Sequence, residues 1–355
     1  MVVLLGGQFA LWAGALLAGR TPPLPRPAGV EGFLPISALM SLRLWLAGYG
    51  VHPVHPAGLA ILVAVLVASL VVAKSFCSHL CPIGTISEML GRLGTRLLGR
   101  TWRAPGWLDV PLRGLKYLLL AFFVWATWLA FDLAGVRAFL DSPYDRVADV
   151  KMLLFFTRAS RATIATLGML VVGSVLVRDL WCRYLCPYGA LLGLLGRLAP
   201  LKVTRDPDSC TDCRTCTKVC PARLQVHTMR RVRAAECSSC QDCVVACPVK
   251  DCLAVRLPRL RPRPAPLRPA WRPVVATLLA VAAYFGVALG FRLAGHWHGS
   301  VTQAEYARRL REIDAPRYTH ARAIAGSDPH TVSSPLAGIA PDGSRSRASV
   351  PSRAP

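Results

Sequence analysis

The chain has 355 residues, 53% of them hydrophobic and 17% charged, with a mean hydropathy of +0.41 and a formal net charge of +23. This is a membrane composition, and it excludes an ordinary soluble globular domain. The positive charge does not indicate nucleic acid, because it is concentrated in two blocks: residues 178–272 hold 18 Lys/Arg against 7 Asp/Glu and residues 74–116 hold 7 against 2, while residues 20–56 hold only 3 basic side chains.

Five apolar runs, 2–18, 57–73, 117–131, 162–177 and 274–291, predict five membrane crossings, each being near the ~20 residues that span a bilayer core. Lys/Arg excess marks cytoplasmic loops. Both basic blocks are therefore placed on the cytoplasmic side of a bacterial inner membrane, against membrane lipid, and residues 20–56 outside. The first run has no basic residue ahead of it and Arg20 and Arg26 behind it. Charge does not orient it, and it reads either as an anchor or as a signal peptide without a positive n-region.

Between the crossings the chain repeats itself. Sliding it by 105 residues lays FCSHLCPIGTISEMLGRL (76–93) over WCRYLCPYGALLGLLGRL (181–198). Cys77, Cys81 and Pro82 fall on Cys182, Cys186 and Pro187, and the second apolar run falls on the fourth. Residues 1–200 thus read as two helical hairpins related by a parallel repeat. Each ends in a C-x3-C-P pair, with its proline opening a helix expected to lie along the interface. Cysteines four apart on a helix share one face, so four thiolates, Cys77, Cys81, Cys182 and Cys186, can meet at one membrane face. A third [4Fe–4S] cluster, another thiolate-bound metal, or redox-active or structural thiols are the outcomes open to them.

Residues 201–257 carry the strongest motif. Cys210, Cys213, Cys216 and Cys220-Pro221 are followed by Cys237, Cys240, Cys243 and Cys247-Pro248. This is the spacing of a two-cluster ferredoxin, in which the fourth cysteine of each run ligates the cluster of the other. Cys210, Cys213, Cys216 and Cys247 are assigned to one [4Fe–4S] cluster, and Cys237, Cys240, Cys243 and Cys220 to the second. Residues 201–206 alternate like a short strand, and 220–237 has the length of a strand-turn-helix return. Cys252 is left over as a spare thiol. Residues 258–273 form a Pro/Arg linker to the fifth crossing at 274–291. The tail, 292–355, is expected to be extracytoplasmic and mostly disordered after a weak amphipathic stretch at 303–313.

FLPISALMSLRLWL (33–46), VHPAGL (54–59), the two C-x3-C-P segments and the double cysteine run together resemble the NapH/NosR group of membrane-bound [4Fe–4S] proteins. The resemblance covers roughly residues 30–256. It implies a polytopic α-helical membrane protein with a small α+β ferredoxin-like module that passes electrons between the quinone pool and a partner redox enzyme. Two departures are evident: there is no room for the large extracytoplasmic flavin domain of NosR members, and a fifth run and tail are added. A helix after the module is similar to CcoG-type oxidase-assembly proteins, which gives the alternative function, a maturation factor that supplies electrons to, or handles metal for, a partner metalloenzyme such as a terminal oxidase.

Other positions carry less. His52, His55, His296 and His298 all fall outside by this topology and together offer four imidazoles for copper, haem or a quinone headgroup. Asp132 ends the third run, and residues 141–150 place three acids in one short loop. No nucleophile or acid–base pair is readable, which describes an electron carrier or a subunit of a quinol-linked oxidoreductase.

Overall fold

A computed structural model describes residues 2–99, 102, 104–257 and 271–320; residues 258–270 of the linker expected at 258–273 and the tail beyond 320 lie outside the described residues, and Trp271–Pro273 already belong to the helix that follows. All five apolar runs are helical. They fall in α1 (Val2–Leu17), α3 (Pro56–Val71), α6 (Gly106–Val124), α9 (Arg161–Leu176) and α13 (Trp271–Leu293). Between them stand α2 (Pro35–Leu46), α4 (Ser75–His79), α5 (Pro82–Leu98), α7 (Leu133–Asp141) and α8 (Ala148–Thr157). Among the described residues two helices suffice by length and composition to cross a membrane, Gly106–Leu129 and Val274–Leu293. A third candidate is the pair Asp145–Thr157 and Arg161–Leu176, bent by 78° at the break between them. The helices at Leu4–Leu17 and Pro56–Val71 are apolar but shorter.

The 105-residue repeat is present in the backbone. Both α3 and α9 are 16 residues long. Each ends on an extended valine (Val72, ψ 114°; Val177, ψ 110°) and a left-handed residue (Lys74, φ 51°; Asp179, φ 60°). Then comes a short helical turn, α4 in one copy and the π-type turn Trp181–Leu185 in the other. An extended Cys81 or Cys186 hands the chain to a proline at the first helical turn, where its missing N–H costs nothing.

The two copies differ in surroundings. α3 is enclosed by α2, α13 and the helix α10 (Pro187–Gly196), whereas α9 is largely exposed and packs on α5. α5 keeps an exposed apolar face with Ile86, Met89 and Leu93, as an interfacial helix should. α10 does not lie along a surface. It is wedged between α3 and α6 with Ala190 and Leu192 fully buried, because its glycines admit backbone on close approach. Where α6 ends, a π-type turn at Trp125–Leu129 continues it and loosens the hydrogen-bond ladder. Arg43 of α2 donates to the carbonyls of Thr127 (3.1 Å) and Phe131 (2.7 Å) and satisfies it.

The cysteine-rich module is built on β1 (Lys202–Arg205) and β2 (Leu253–Arg256), antiparallel with Val203 opposite Val255. The short helices α11 (Thr215–Val219) and α12 (Asp242–Val245) each carry the third cysteine of their loop, Cys216 and Cys243, in their first turn. The expected strand-turn-helix return is instead a 3-10 turn at Val226–Thr228 and an extended stretch whose Val232 N–H bonds to Val203 O at 2.9 Å. Leu224, Val226 and Val232 are thereby drawn into the module core with Val203 and Leu253.

The segment after α13 is ordered further than its composition implies. Helix α14 (Gln303–Arg311) and the turn to Tyr318 dock Tyr306, Leu310, Ile313 and Tyr318 against Phe9, Trp12 and Leu16 of α1 and against Val30 and Val150. Burial of one apolar face, at roughly 25 cal/mol per Å², overrides a weak local pattern.

Candidate functional site

Each cysteine loop turns through two left-handed residues at equivalent places, Asp212 and Arg214 in the first and Ser239 and Gln241 in the second, with φ of 57°, 59°, 52° and 68°. For residues with a Cβ this conformation costs of order 1 kcal/mol each. Paying it four times curls each loop around a common centre. Cys210, Cys213 and Cys216 line one cavity together with Cys247. Cys237, Cys240 and Cys243 line another together with Cys220. The remote cysteine of each run is thus delivered to the other's loop.

The donor set suits a cube rather than a point ion. Among the described residues no three His, Cys, Asp or Glu side chains come together around a single metal position; each cavity is instead lined by four cysteines of the double run, the number a four-iron cluster requires. N–H donors also face the sulfurs: Leu224 N donates to Cys220 Sγ at 3.4 Å. Cys213 is exposed, and hydrogen bonds from Thr215 hold its thiol below the usual range. Burial pushes Cys240 up to about 12 and Cys243 well above normal, so thiolates there need an electrophilic partner such as iron. Cys252 also lines the first cavity, but it is buried and its S–H points to Asp206 O at 3.6 Å.

The four C-x3-C-P cysteines come together as well. Cys77, Cys81, Cys182 and Cys186 line one cavity of about 340 Å³, along with Lys74, Tyr188 and Asp179. Gly189 N donates to Cys186 Sγ at 3.2 Å. The same cavity extends to Ser238 and Cys240 of the module. That juxtaposition is held by specific bonds. Ser78 Oγ donates to Ser238 O at 2.7 Å, Gln241 Nε2 to Thr277 Oγ1 at 3.2 Å, and Arg183 to Ala222 O at 3.1 Å. Arg183 is itself clamped by both oxygens of Asp109, each at 2.9 Å. Lys116 pairs with Glu236, next to Cys237. None of these docking residues has a signal in the sequence, because each acquires its partner across more than 35 positions.

The other singled-out positions are structural. His296 and His298 are exposed and His52 and His55 buried, and among the described residues no three of them gather at a metal position. His52 faces Asp141 at 3.5 Å, and His55 donates to Asp145 O at 2.6 Å. The four imidazoles do not form one site. Asp132 caps α7, accepting from Gly135 N at 2.7 Å.

These features define a ferredoxin-type membrane protein. Residues 202–248 match the 4Fe-4S dicluster domain family, and residues 54–103 and 162–205, which hold both C-x3-C-P pairs, match the 4Fe-4S binding domain family. The putative electron transport protein YccM of Escherichia coli is 42% identical over 309 residues, 85% of this chain and 84% of that protein. The chain belongs to this family of membrane electron transport proteins with 4Fe-4S domains. The ferredoxin-type protein NapH of E. coli is 27% identical over 54% of the chain and 61% of its own length. The regulatory protein NosR of Pseudomonas aeruginosa is 28% identical over 46% of the chain but only 22% of NosR. No solved structure matches the chain.

Proposed function

We propose that the protein is a five-crossing electron conduit of the bacterial inner membrane that links the quinone pool to a partner redox enzyme, with its clusters on the cytoplasmic side. Cys210, Cys213, Cys216 and Cys247 hold the distal [4Fe–4S] cluster, Cys220, Cys237, Cys240 and Cys243 the proximal one, and Cys77, Cys81, Cys182 and Cys186 a third. Iron–sulfur clusters supply one-electron carriers; the chain supplies their spacing and insulation. One observation carries the reading: the cavity lined by the four C-x3-C-P cysteines is also lined by Cys240 of the module, which supports electron passage between the membrane-side thiols and the dicluster module. The two basic blocks support the cytoplasmic placement.

Anaerobic EPR of the purified protein in nanodiscs, before and after a reduced quinol is added, tests it. Rapid appearance of reduced [4Fe–4S] signals is expected. Reduction by a strong low-potential donor but not by quinol defeats the quinone link and favours a maturation factor serving a partner metalloenzyme. Cys77→Ser with Cys182→Ser should lower iron content if the third site holds a cluster. Unchanged iron with a poorly metallated partner would instead place metal handling there.

A further inference from the structure

We propose that a cleft beside Cys220 is where the quinol headgroup gives up its electrons, an inference that deepens the quinol-linked reading and rests on it. The cleft has a volume of about 770 Å³, within the ~300–1,000 Å³ typical of small-molecule sites. Its membrane-side wall is Thr95 and Leu98, from the last turn of α5, and Leu176, the final residue of α9; its module-side wall is Lys218, Cys220 and Pro221. Three chain segments far apart in sequence build it, and one of its walls belongs to a cluster-lining cysteine.

The lining suits a lipid-borne quinone. Leu98 and Trp102 are 53% and 52% exposed at the rim, and Trp102 N is bonded to Leu176 O at 2.8 Å. The rim continues the exposed apolar face of α5, so a prenyl tail can lie in lipid while the ring enters the cleft. Tryptophan at such a rim is characteristic of the membrane–water boundary. Inside, Arg178 and Lys218 offer donors for two ring oxygens, and no carboxylate is among the lining residues described. Arg178 bridges the cleft and the C-x3-C-P cavity, where its guanidinium faces Asp179 at 3.8 Å and Glu88 at 4.0 Å.

Position supplies the redox partners. Cys220 lines both this cleft and the proximal cluster cavity, while Arg178 and Pro221 line both this cleft and the C-x3-C-P cavity. Oxidation of one quinol releases two electrons and two protons. Two oxidised [4Fe–4S] clusters each take one electron, the protons pass to water at the open side of the cleft, and the quinone departs into the lipid.

The full-length protein in nanodiscs tests this with a photoreactive azidoquinone and with quinol-driven cluster reduction followed by stopped-flow absorbance. The label is expected on peptides containing residues 95–102, 176–178 or 218–221. Thr95→Trp, which fills the cleft from the exposed face of α5, should slow quinol-driven reduction by about ten-fold or more, equivalent to ~1.4 kcal/mol, and abolish labelling. Lys218→Gln should weaken labelling, with an unchanged EPR spectrum after dithionite showing that the clusters are intact. Labelling elsewhere, with undiminished rates in both variants, overturns the site while quinol linkage stands. Failure of quinol to reduce the wild-type clusters overturns both.

Discussion

Lys116 of α6 and Glu236 of the cysteine-rich module form an ion pair across 120 residues, with the lysine fully buried. Glu236 precedes Cys237, so the pair fixes a cluster loop to a membrane helix. Removing one partner strands the other charge. Lys116→Met should cost about 3 kcal/mol and expose the module to limited proteolysis. Lys116→Met with Glu236→Leu should recover most of that loss. A double mutant no more stable than the single one would show that the pair does not set the docking.

The crosswise grouping of cysteines makes an additive test possible. Cys247→Ser should remove about four irons per chain, and adding Cys213→Ser should remove no more, since both serve one cluster. Cys247→Ser with Cys243→Ser should remove about eight. Iron analysis of the anaerobically purified variants decides. If the Cys213 pairing loses eight and the Cys243 pairing four, ligation runs within each loop instead.

Gly193 lets the module close on α10. A Cβ there would lie 2.5 Å from Ala235 O and 3.3 Å from its carbonyl carbon, closer than backbone atoms tolerate. Gly193→Ala should destabilise the junction by roughly 1–3 kcal/mol, whereas Gly286→Ala on α13, where nothing lies within 4 Å, should be neutral or slightly stabilising. Thermal unfolding of both variants in the same detergent checks the contrast.

At the other end of α3, His55 sits among Glu31, Asp145, Asp149 and Arg26. Burial alone would lower its pKa, but the contact with Glu31 and the charges of Asp145, Glu31 and Asp149 outweigh burial and raise it to about 9 from the ordinary 6.5. A raised cationic pKa gives stability that is complete below 6.5 and is lost as pH climbs through 9. Stability should therefore fall by up to roughly 3 kcal/mol between pH 7 and 9.5, read as a decreasing melting temperature. His55→Gln should be less stable at pH 7 and show a flatter profile. An unaltered slope in that variant would assign the pH dependence to other groups.

How much of this is legible in the sequence depends on how far apart the partners lie. Cysteine spacing encodes its own geometry, so the gathering of Cys210, Cys213 and Cys216 is a local matter of two left-handed turns. The 105-residue repeat carries both backbone and motif, and Lys74 and Asp179 share a conformation despite opposite charge. Burial of α10 is not readable, because its apolar run is the same whether it faces lipid, water's edge or α3. Nor is the docking of Tyr306, whose partners Trp12 and Asp149 lie in distant segments. The cleft beside Cys220 is the extreme case, since no one segment contains more than a fraction of it.

The contact between α1 and α14 has a consequence for biosynthesis. Trp12 and Tyr306 meet edge to face at 5.0 Å, and the Tyr306 hydroxyl donates to Asp149 at 3.2 Å. The ribosome releases Trp12 almost at once and Tyr306 some 290 residues later. Until then the Arg26–Asp149 pair lacks its aromatic lid, and the first helix has no permanent neighbour on that side. The nascent protein must hold a half-finished polar cap for most of its translation, and it is completed only when α14 has been made and docked. Mutations that delay that docking should therefore expose the polypeptide to quality-control proteases even when every cluster ligand is intact.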